Sequence, residues 1–522
     1  MRRLFGIGLG LALVAQGVLT PVALAAPDAP VVSSSVYKTS GCDPEGCGGV
    51  GVEDTFVFSS SVDVVKFRWG FTDPPSTEVA AGVPVRWAPE TGGPKMLYVE
   101  AFDGAGVSTR TLFEFTVKSP SPQVADWFAG DDPSFDGTGN GHDLALSAVD
   151  TARAGRTLGG AGAIGFDGVT SSATTGKVLD TTRGLTVSAW VRLGDGAVDR
   201  TVVSQQGTVE SAFRLGFDAG TQRWTFAVAE KDAAGSAQRT VRSKGLARVG
   251  VWTHVAGTYD DASGEVRLYV DGVVQENVPV VKKGFSADGE LWIGKALRGG
   301  TAAEAWQGDL MQMLAWNRAI TAQEVRRVAV GIEVGDWTFN EGNGKTAIDS
   351  SPYARDLRLN GATWAPAYAG FGLGFGGTGS ASSGEAVLCT DQSFTVDVWA
   401  RLDAAGPAGT VVTQRGPSGV DPFTLRYDGV RWSAEMPDAA VNPAKVWRAK
   451  ADAVAGTWTH LVATYDANAR TLSLEVGYRD AAEVQKSTVA RVSGWNSDGV
   501  LTVGQGFVGG VDELEIVQGP RL

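Results

Sequence analysis

The sequence predicts an all-β chain of several β-sandwich domains, and three observations carry that prediction. Glycine is abundant, 70 of 522 residues, yet shows no strict period. Scattered Gly among many Val, Thr and aromatic residues fits short strands joined by tight turns. Alternation is the second observation: in Leu185-Thr186-Val187-Ser188-Ala189-Trp190-Val191-Arg192-Leu193, Thr186, Ser188, Trp190 and Arg192 alternate with an apolar set, the period-2 pattern of a strand with one dry face. The third is an ordered set of segments that occurs twice, which together with the length argues for about three domains rather than one core.

From the N-terminus, Arg2 and Arg3 precede the apolar stretch Leu4 to Ala15, and Ala23-Leu24-Ala25 is a small-x-small cleavage site. This reads as a signal peptide over residues 1–25 and predicts a secreted product with no membrane span. Residues 27–119 form a first domain with strand-like runs Phe56-Val57-Phe58, Val64 to Trp69, Met96 to Phe102 and Leu112 to Val117. Cys42 and Cys47 lie in one Gly-rich turn, and in an exported protein they should form a disulfide. A metal pair is the alternative, but no further Cys or His lies nearby to complete it. Cys389 is left without a partner. Ser119-Pro120-Ser121-Pro122 reads as a linker.

The repeat then begins. Leu185 to Leu193 returns as Phe394 to Leu402, Val202-Val203-Ser204-Gln205 as Val411-Val412-Thr413-Gln414, and Trp252-Thr253-His254-Val255 as Trp458-Thr459-His460-Leu461. Asp126-Trp127-Phe128 matches Asp336-Trp337-Thr338-Phe339, and Leu291-Trp292-Ile293-Gly294 matches Leu501-Thr502-Val503-Gly504. A period of about 210 residues is that of whole domains, not of a solenoid unit. Repeat one is placed at 122–330 and repeat two at 331–520. Thr321-Ala322-Gln323-Glu324 is a capping box that opens one short helix through Val330.

These segments carry a resemblance. The D-W-x-F opening, the G-F-D-G turn at Gly165 to Gly168, the L-T-V-S-A-W strand, the W-T-H-V block and the closing Trp316 to Ile320 resemble the laminin-G-like, concanavalin-A-like jelly-roll domains of secreted bacterial proteins. Residues 27–119 resemble an immunoglobulin-like sandwich, and the whole arrangement is similar to exported actinobacterial proteins. The resemblance thus implies an Ig-like sandwich followed by two concanavalin-A-like sandwiches. It also implies a calcium site beside each jelly roll. Repeat one offers Asp136 and Asp167 but reads Leu310-Met311-Gln312-Met313 at the closing strand. Repeat two offers Asp349, Asp512 and Glu513 but has Gly376 where Asp167 stood. Calcium needs several oxygens at one point, so each incomplete set leaves turn-stabilising Asp residues as the other reading.

The net charge of −13 fits calcium sites or simply an extracellular surface, and no basic run supplies a nucleic-acid footprint. The E-x-D-x-x-E string of retaining glycosidases, G-x-S-x-G, H-E-x-x-H and a P-loop are missing from the sequence. A Ser-His-Asp site would need His142, His254 or His460, and none has a suitable setting. His254 and His460 occupy matched strand positions and read as structural, and His142 reads as a loop residue. Matched tryptophans (Trp127 and Trp337, Trp190 and Trp399, Trp224 and Trp432, Trp252 and Trp458) read as core. Trp306, Trp364 and Trp495 are less clearly matched and read as core, with exposure as the alternative. The sequence therefore leads to a non-catalytic protein that binds an extracellular glycan, with a structural or protein-interaction component of the cell envelope or matrix as the alternative. A polysaccharide hydrolase comes third.

Overall fold

The computed structural model describes residues 27–60, 63–103, 110–128, 132–159, 162–275, 278, 284–441, 444–478 and 483–519. The expected signal segment lies outside these residues. The chain divides into two compact units, residues 1–120 and 121–522.

In the first unit, the strands Val31–Ser33, Asp54–Ser59 and Val85–Trp87 form one sheet; Thr77–Ala80, Lys66–Gly70, Gly93–Phe102 and Thr111–Val117 form another. All pairings are antiparallel. Tyr37, Phe56, Leu97, Val99 and Phe115 fill the core between them. Cys42 and Cys47 are bonded, and Cys47 packs into that core.

The second unit contains the repeat as two sandwiches built to one plan. The first sheet of repeat one runs Asp150–Arg153, Ala163–Asp167, Gln307–Trp316, Leu185–Leu193, Trp252–Asp260, Glu265–Val270, Val273–Val274. The first sheet of repeat two runs Thr363–Pro366, Phe371–Gly376, Val508–Gln518, Phe394–Leu402, Trp458–Asp466, Thr471–Tyr478, Gln485–Ala490. The opening strands Ala125–Trp127 and Ile332–Trp337 each pair with the long closing strand. The second sheets also correspond, with Arg200–Gln206, Ser211–Asp218, Arg223–Ala229 and Gln238–Arg242 matched by Gly409–Gln414, Phe423–Tyr427, Arg431–Pro437 and Val446–Asp452.

Leu185, Val187, Ala189, Val191 and Leu193 point between the sheets and are buried, as the alternation requires. The polar set is buried too: Thr186, Ser188 and Trp190 are at most 3% exposed. The strand thus has two dry faces where the sequence suggested one. The reason is tertiary cover. The helix Ala322–Ala329 packs over Ala256, Leu314 and Trp316 on the outward side, and loops of repeat two cover the rest. Thr321 caps that helix reciprocally: its hydroxyl accepts from the Glu324 amide at 3.3 Å, and its own amide donates to Glu324 at 2.8 Å.

One buried amide ties each sandwich together. The Gln205 side chain accepts from the Leu179 amide at 2.9 Å and donates to the carbonyls of Leu179 at 2.7 Å and Ala287 at 3.0 Å. Gln414 does the same with Leu388 and Ser497, and also accepts from Val387. Both glutamines are fully buried. Each satisfies chain-crossing peptide groups that water cannot reach. Gln414→Leu should therefore cost at least about 3 kcal/mol. The check is the urea midpoint, with the slope unchanged; an unchanged midpoint would remove the role assigned to this amide.

Candidate functional site

The carboxylates implied by the resemblance sit in hydrogen-bonded turns. Asp136 accepts from the amides of Asp126 at 3.1 Å, Thr138 at 3.0 Å and His142 at 3.2 Å, and from the Thr138 hydroxyl. Burial alone would raise its pKa, but these bonds outweigh it and hold the carboxyl low. Asp349 repeats the knot, accepting from the amides of Asp336 at 2.9 Å, Ser351 at 2.9 Å and Arg355 at 2.7 Å. Asp167 accepts from the Thr170 hydroxyl and from the amides of Val169, Thr170 and Ser171 within its own turn, and these bonds hold its pKa well below the usual range. Asp512 is fully buried. It accepts from the amides of Ala369 at 2.8 Å and Glu513 at 3.0 Å, and burial pushes its carboxyl up to about 6. Glu513 is raised by burial and then by the charge of Asp336.

Among the described residues, no three His, Cys, Asp or Glu side chains converge in a way that would hold a metal ion. The donor chemistry agrees: Asp136, Asp167, Asp349 and Asp512 already accept peptide N–H groups with lone pairs that calcium would need. The residues present do not fit the ion that the resemblance implies.

A different feature emerges from the outward faces of the two first sheets. Their register makes Gly165, Asp309, Arg192 and Trp252 of repeat one the counterparts of Gly374, Gly510, Arg401 and Trp458 of repeat two. One turn of the pleat further, Met311, Trp190 and His254 correspond to Asp512, Trp399 and His460.

In repeat one this face is closed. Asp309 pairs with both Arg153 and Arg192 at 2.7 Å, and the Arg192 guanidinium lies 5.0 Å from the Trp252 ring. Arg156 covers Trp190 at 3.5 Å. Loops of repeat two then seal it. Gln392 accepts from the Trp252 amide at 2.9 Å and donates to the Gly250 carbonyl at 3.2 Å. Asn468 donates to Asp271 at 2.9 Å and accepts from the Thr253 hydroxyl at 3.1 Å. The hydroxyls of Thr157 and Tyr353 meet at 2.9 Å. Trp190 and Trp252 retain 3% and 5% exposure.

In repeat two the same face is open. Gly510 replaces Asp309, and a Cβ there would lie 2.9 Å from the Trp458 ring, so glycine is what lets the indole reach over the strand. A groove of about 280 Å³ results, with Trp458, Arg401, Asp403 and Thr363 above a floor that includes Gly374 and Gly510. Arg401 is 5.4 Å from the Trp458 ring and pairs with Asp403 at 2.9 Å. Beside it, Tyr368 stacks on Trp399 at 3.7 Å and Trp399 on His460 at 4.9 Å. His460 bonds Asp397. Trp399, Trp458, Tyr368 and His460 are all partly exposed.

The sequence reading placed these tryptophans and histidines in the cores. All lie on the outward faces of the first sheets: Trp190, Trp252 and His254 are buried there as that reading required, whereas Trp399, Trp458 and His460 are partly exposed, because matched positions share a pleat orientation but not a neighbour. Trp306, a candidate for exposure, is fully buried and stacks on Trp224. Trp364 and Trp495 are partly exposed. His142 serves through its backbone, its carbonyl accepting from the Trp127 indole at 2.7 Å. Cys389 is half-buried, and burial pushes its thiol up to about 11.

A family model described as the concanavalin A-like lectin/glucanases superfamily matches residues 166–326 and 375–521. A sequence comparison with curated proteins finds no match. Among solved structures, a heptameric pentraxin from Limulus polyphemus is similar at 21% identity over 29% of this chain and 71% of that one, with TM-score 0.25. Domain 4 of an extracellular arabinanase from Geobacillus stearothermophilus, solved with arabinotriose, matches at 20% identity over 40% of this chain and 98% of its own, with TM-score 0.30. Domains LG4-5 of mouse laminin α1 match at 13% identity over 65% and 83%, with TM-score 0.22.

Two outcomes are expected from these arrangements. Melting curves in calcium and in chelator should coincide; a ligand at 100 times its Kd would add about 2.7 kcal/mol, so an upward shift in calcium would contradict this reading of the carboxylates. The second outcome concerns pH. Burial, first, and Asp466 push Asp271 up to about 7 from 3.8, so its contribution is present below 3.8 and lost as pH rises through 7. Burial and then Arg156 hold His254 down at about 3 from 6.5, so its contribution is present above 6.5 and lost as pH falls toward 3. The two slopes oppose each other between about 4 and 6.5. Asp271→Asn should expose the histidine slope, so that the variant loses melting temperature from pH 7 to pH 5 more steeply than the parent. Parallel profiles would contradict these opposed contributions.

Proposed function

The chain belongs to the concanavalin A-like lectin/glucanases superfamily, and from that premise we propose that it is a secreted, non-catalytic glycan-binding protein whose binding groove lies on the first sheet of repeat two. The observation that carries this reading is the contrast between the two copies. Where repeat one compensates its charges internally and hides its indole, repeat two leaves Trp458 and Arg401 over a glycine floor. Sugar rings present C–H faces that pack on an indole, while their hydroxyls accept from a guanidinium and donate to a carboxylate such as Asp403. Tyr368 and Trp399 extend the aromatic surface beside it.

The proposal is non-catalytic for a geometric reason. Hydrolysis of a glycosidic bond needs two carboxyl groups facing each other across it. Asp403 is the single acid among the residues lining this groove, and it is engaged by Arg401. Asp512, close by, is sealed beneath the Ala369 amide. Export rests on the expected signal peptide and is supported by the Cys42–Cys47 bond, which suits an oxidising compartment. Among the described residues, no helix is long and apolar enough to cross a membrane. The packing of repeat two on repeat one through Gln392 and Asn468 favours, as a second reading, a rigid spacer that binds protein partners in an envelope or matrix.

An array of neutral arabino-, xylo- and gluco-oligosaccharides probed with the full secreted chain separates the two. Trp458→Ala should weaken binding of any neutral hit by at least about tenfold while leaving the circular dichroism spectrum unchanged. Binding indifferent to that substitution, or no saccharide hit at all, would turn the assignment toward the spacer reading.

A further inference from the structure

The second sheets of the two repeats place and pair their arginines differently. In repeat one, the arginines around the outward hollow are matched by acids: Arg214 to Glu304 at 2.5 Å, Arg298 to Glu304 at 3.0 Å and Glu210 at 3.3 Å, Arg242 to Asp218 at 2.9 Å, and Arg200 to Asp195 at 2.9 Å. In repeat two, a groove of about 550 Å³ is lined by Arg426, Arg448, Thr424, Asp421 and Glu435, with Pro437 and Val446 at its apolar side. Its acids are already engaged. Asp421 pairs with Arg415 at 3.0 Å and accepts from the Gly416 amide at 3.0 Å. Glu435 accepts from the Ser433 hydroxyl at 3.0 Å and forms an ion pair with Arg448 at 3.2 Å.

Arg426 pairs with no carboxylate among the described residues, and its Nε is buried without a hydrogen-bond partner. A ligand carboxylate meeting the part of the Arg426 guanidinium that lines the groove would supply the charged partner that the surrounding acids do not. The position of this arginine is specific to repeat two. The register places Gly216 at the same position in repeat one, where a Cβ would come within 2.1 Å of the Arg200 carbonyl. No side chain can project there.

We propose that this groove is a second binding site, for the carboxylate of an acidic sugar residue of the uronate type. The planar fork of Arg426 matches a carboxylate edge to edge. The neighbouring charges of Asp421 and Glu435 disfavour a dianion and leave a single negative charge as the best complement. Thr424, Glu435 and Arg448 face the space where ring hydroxyls would lie, and Pro437 and Val446 offer an apolar wall. The groove is on the opposite sheet from Trp458, so the site stands whether or not the Trp458 groove binds neutral glycan.

The test is titration calorimetry of the full secreted chain with an oligogalacturonate tetramer, its carboxyl-reduced counterpart and a sulfated neutral tetramer. The uronate is expected to bind, its reduced form at least about tenfold more weakly, and Arg426→Gln to lose the uronate by at least about tenfold. Arg426→Lys keeps the charge but not the fork and should fall between; it also guards against a folding defect in the glutamine variant. Trp458→Ala should leave uronate binding unchanged. No uronate binding at millimolar concentration, equal binding of the reduced or sulfated tetramer, or indifference to both Arg426 substitutions would overturn the proposal.

Discussion

The inward face of the two central strands, Leu185–Leu193 and Phe394–Leu402, is the constraint on which the rest of unit two depends. Each strand is hydrogen-bonded along both edges, and each turns five apolar side chains into its sandwich. Full burial of such a side chain contributes about 1.5–3 kcal/mol, so a slip by one residue would exchange the whole set for polar groups. That cost fixes the pleat. Once the pleat is fixed, the outward positions are fixed as well, including Trp190 and Trp399, Arg192 and Arg401. The buried amides of Gln205 and Gln414 then hold the neighbouring loops at the level those strands dictate.

Nothing in this constraint specifies the chemistry of the outward positions. Repeat one presents Leu314, Ala256 and Tyr269 outward and covers them with the helix Ala322–Ala329. The matching positions of repeat two are Glu515, Val462 and Glu475. Burying the latter set beneath a helix would strand charged groups away from water. The same logic separates the grooves. Asp309 draws two arginines into a compact, self-satisfied cluster, whereas Gly510 leaves Arg401 with an exposed acid and an indole edge.

How much of this was legible in the sequence follows from the same distinction. The period-2 alternation, the ordered repeat and the Thr321–Glu324 capping box each reflect local chemistry, and all three reappear in the structure. The exposure of Trp458 does not reflect local chemistry, since its counterpart Trp252 is followed by the same Thr-His pair and is covered by a loop that brings Gln392 from the other repeat. The resemblance identified Asp136 and Asp349 as oxygen donors but could not show that their lone pairs were committed to the amides of Asp126 and Asp336. Gln205 and Gln414 were visible as the last letters of a repeated tetrad. Their role required knowing which loops cross beneath them. Arg426 had one available signal, the glycine at the matched position of repeat one, which becomes informative only once the strands are aligned in register.

Duplication therefore separates two demands that a single sandwich would have to meet together. A face that docks on another domain must be fully satisfied, because any unpaired polar group it buries is penalised. A face that binds a dilute ligand must keep donors and aromatic surface unsatisfied in the free state, because only interactions gained on binding contribute to affinity. In repeat one Arg153, Arg192 and Asp309 pair their charges with one another on the docked face; in the reading proposed above, repeat two keeps the Trp458 ring and the Arg426 guanidinium available for a ligand. The local balance of Arg426 and Arg448 against Glu435 departs from a chain whose net charge is −13. Within about a Debye length, near 8–10 Å, the nearby charges outweigh that distant excess. An acidic protein can thus hold a site for an acidic sugar, provided that its carboxylates are arranged, as Asp421 and Glu435 are, with partners of their own.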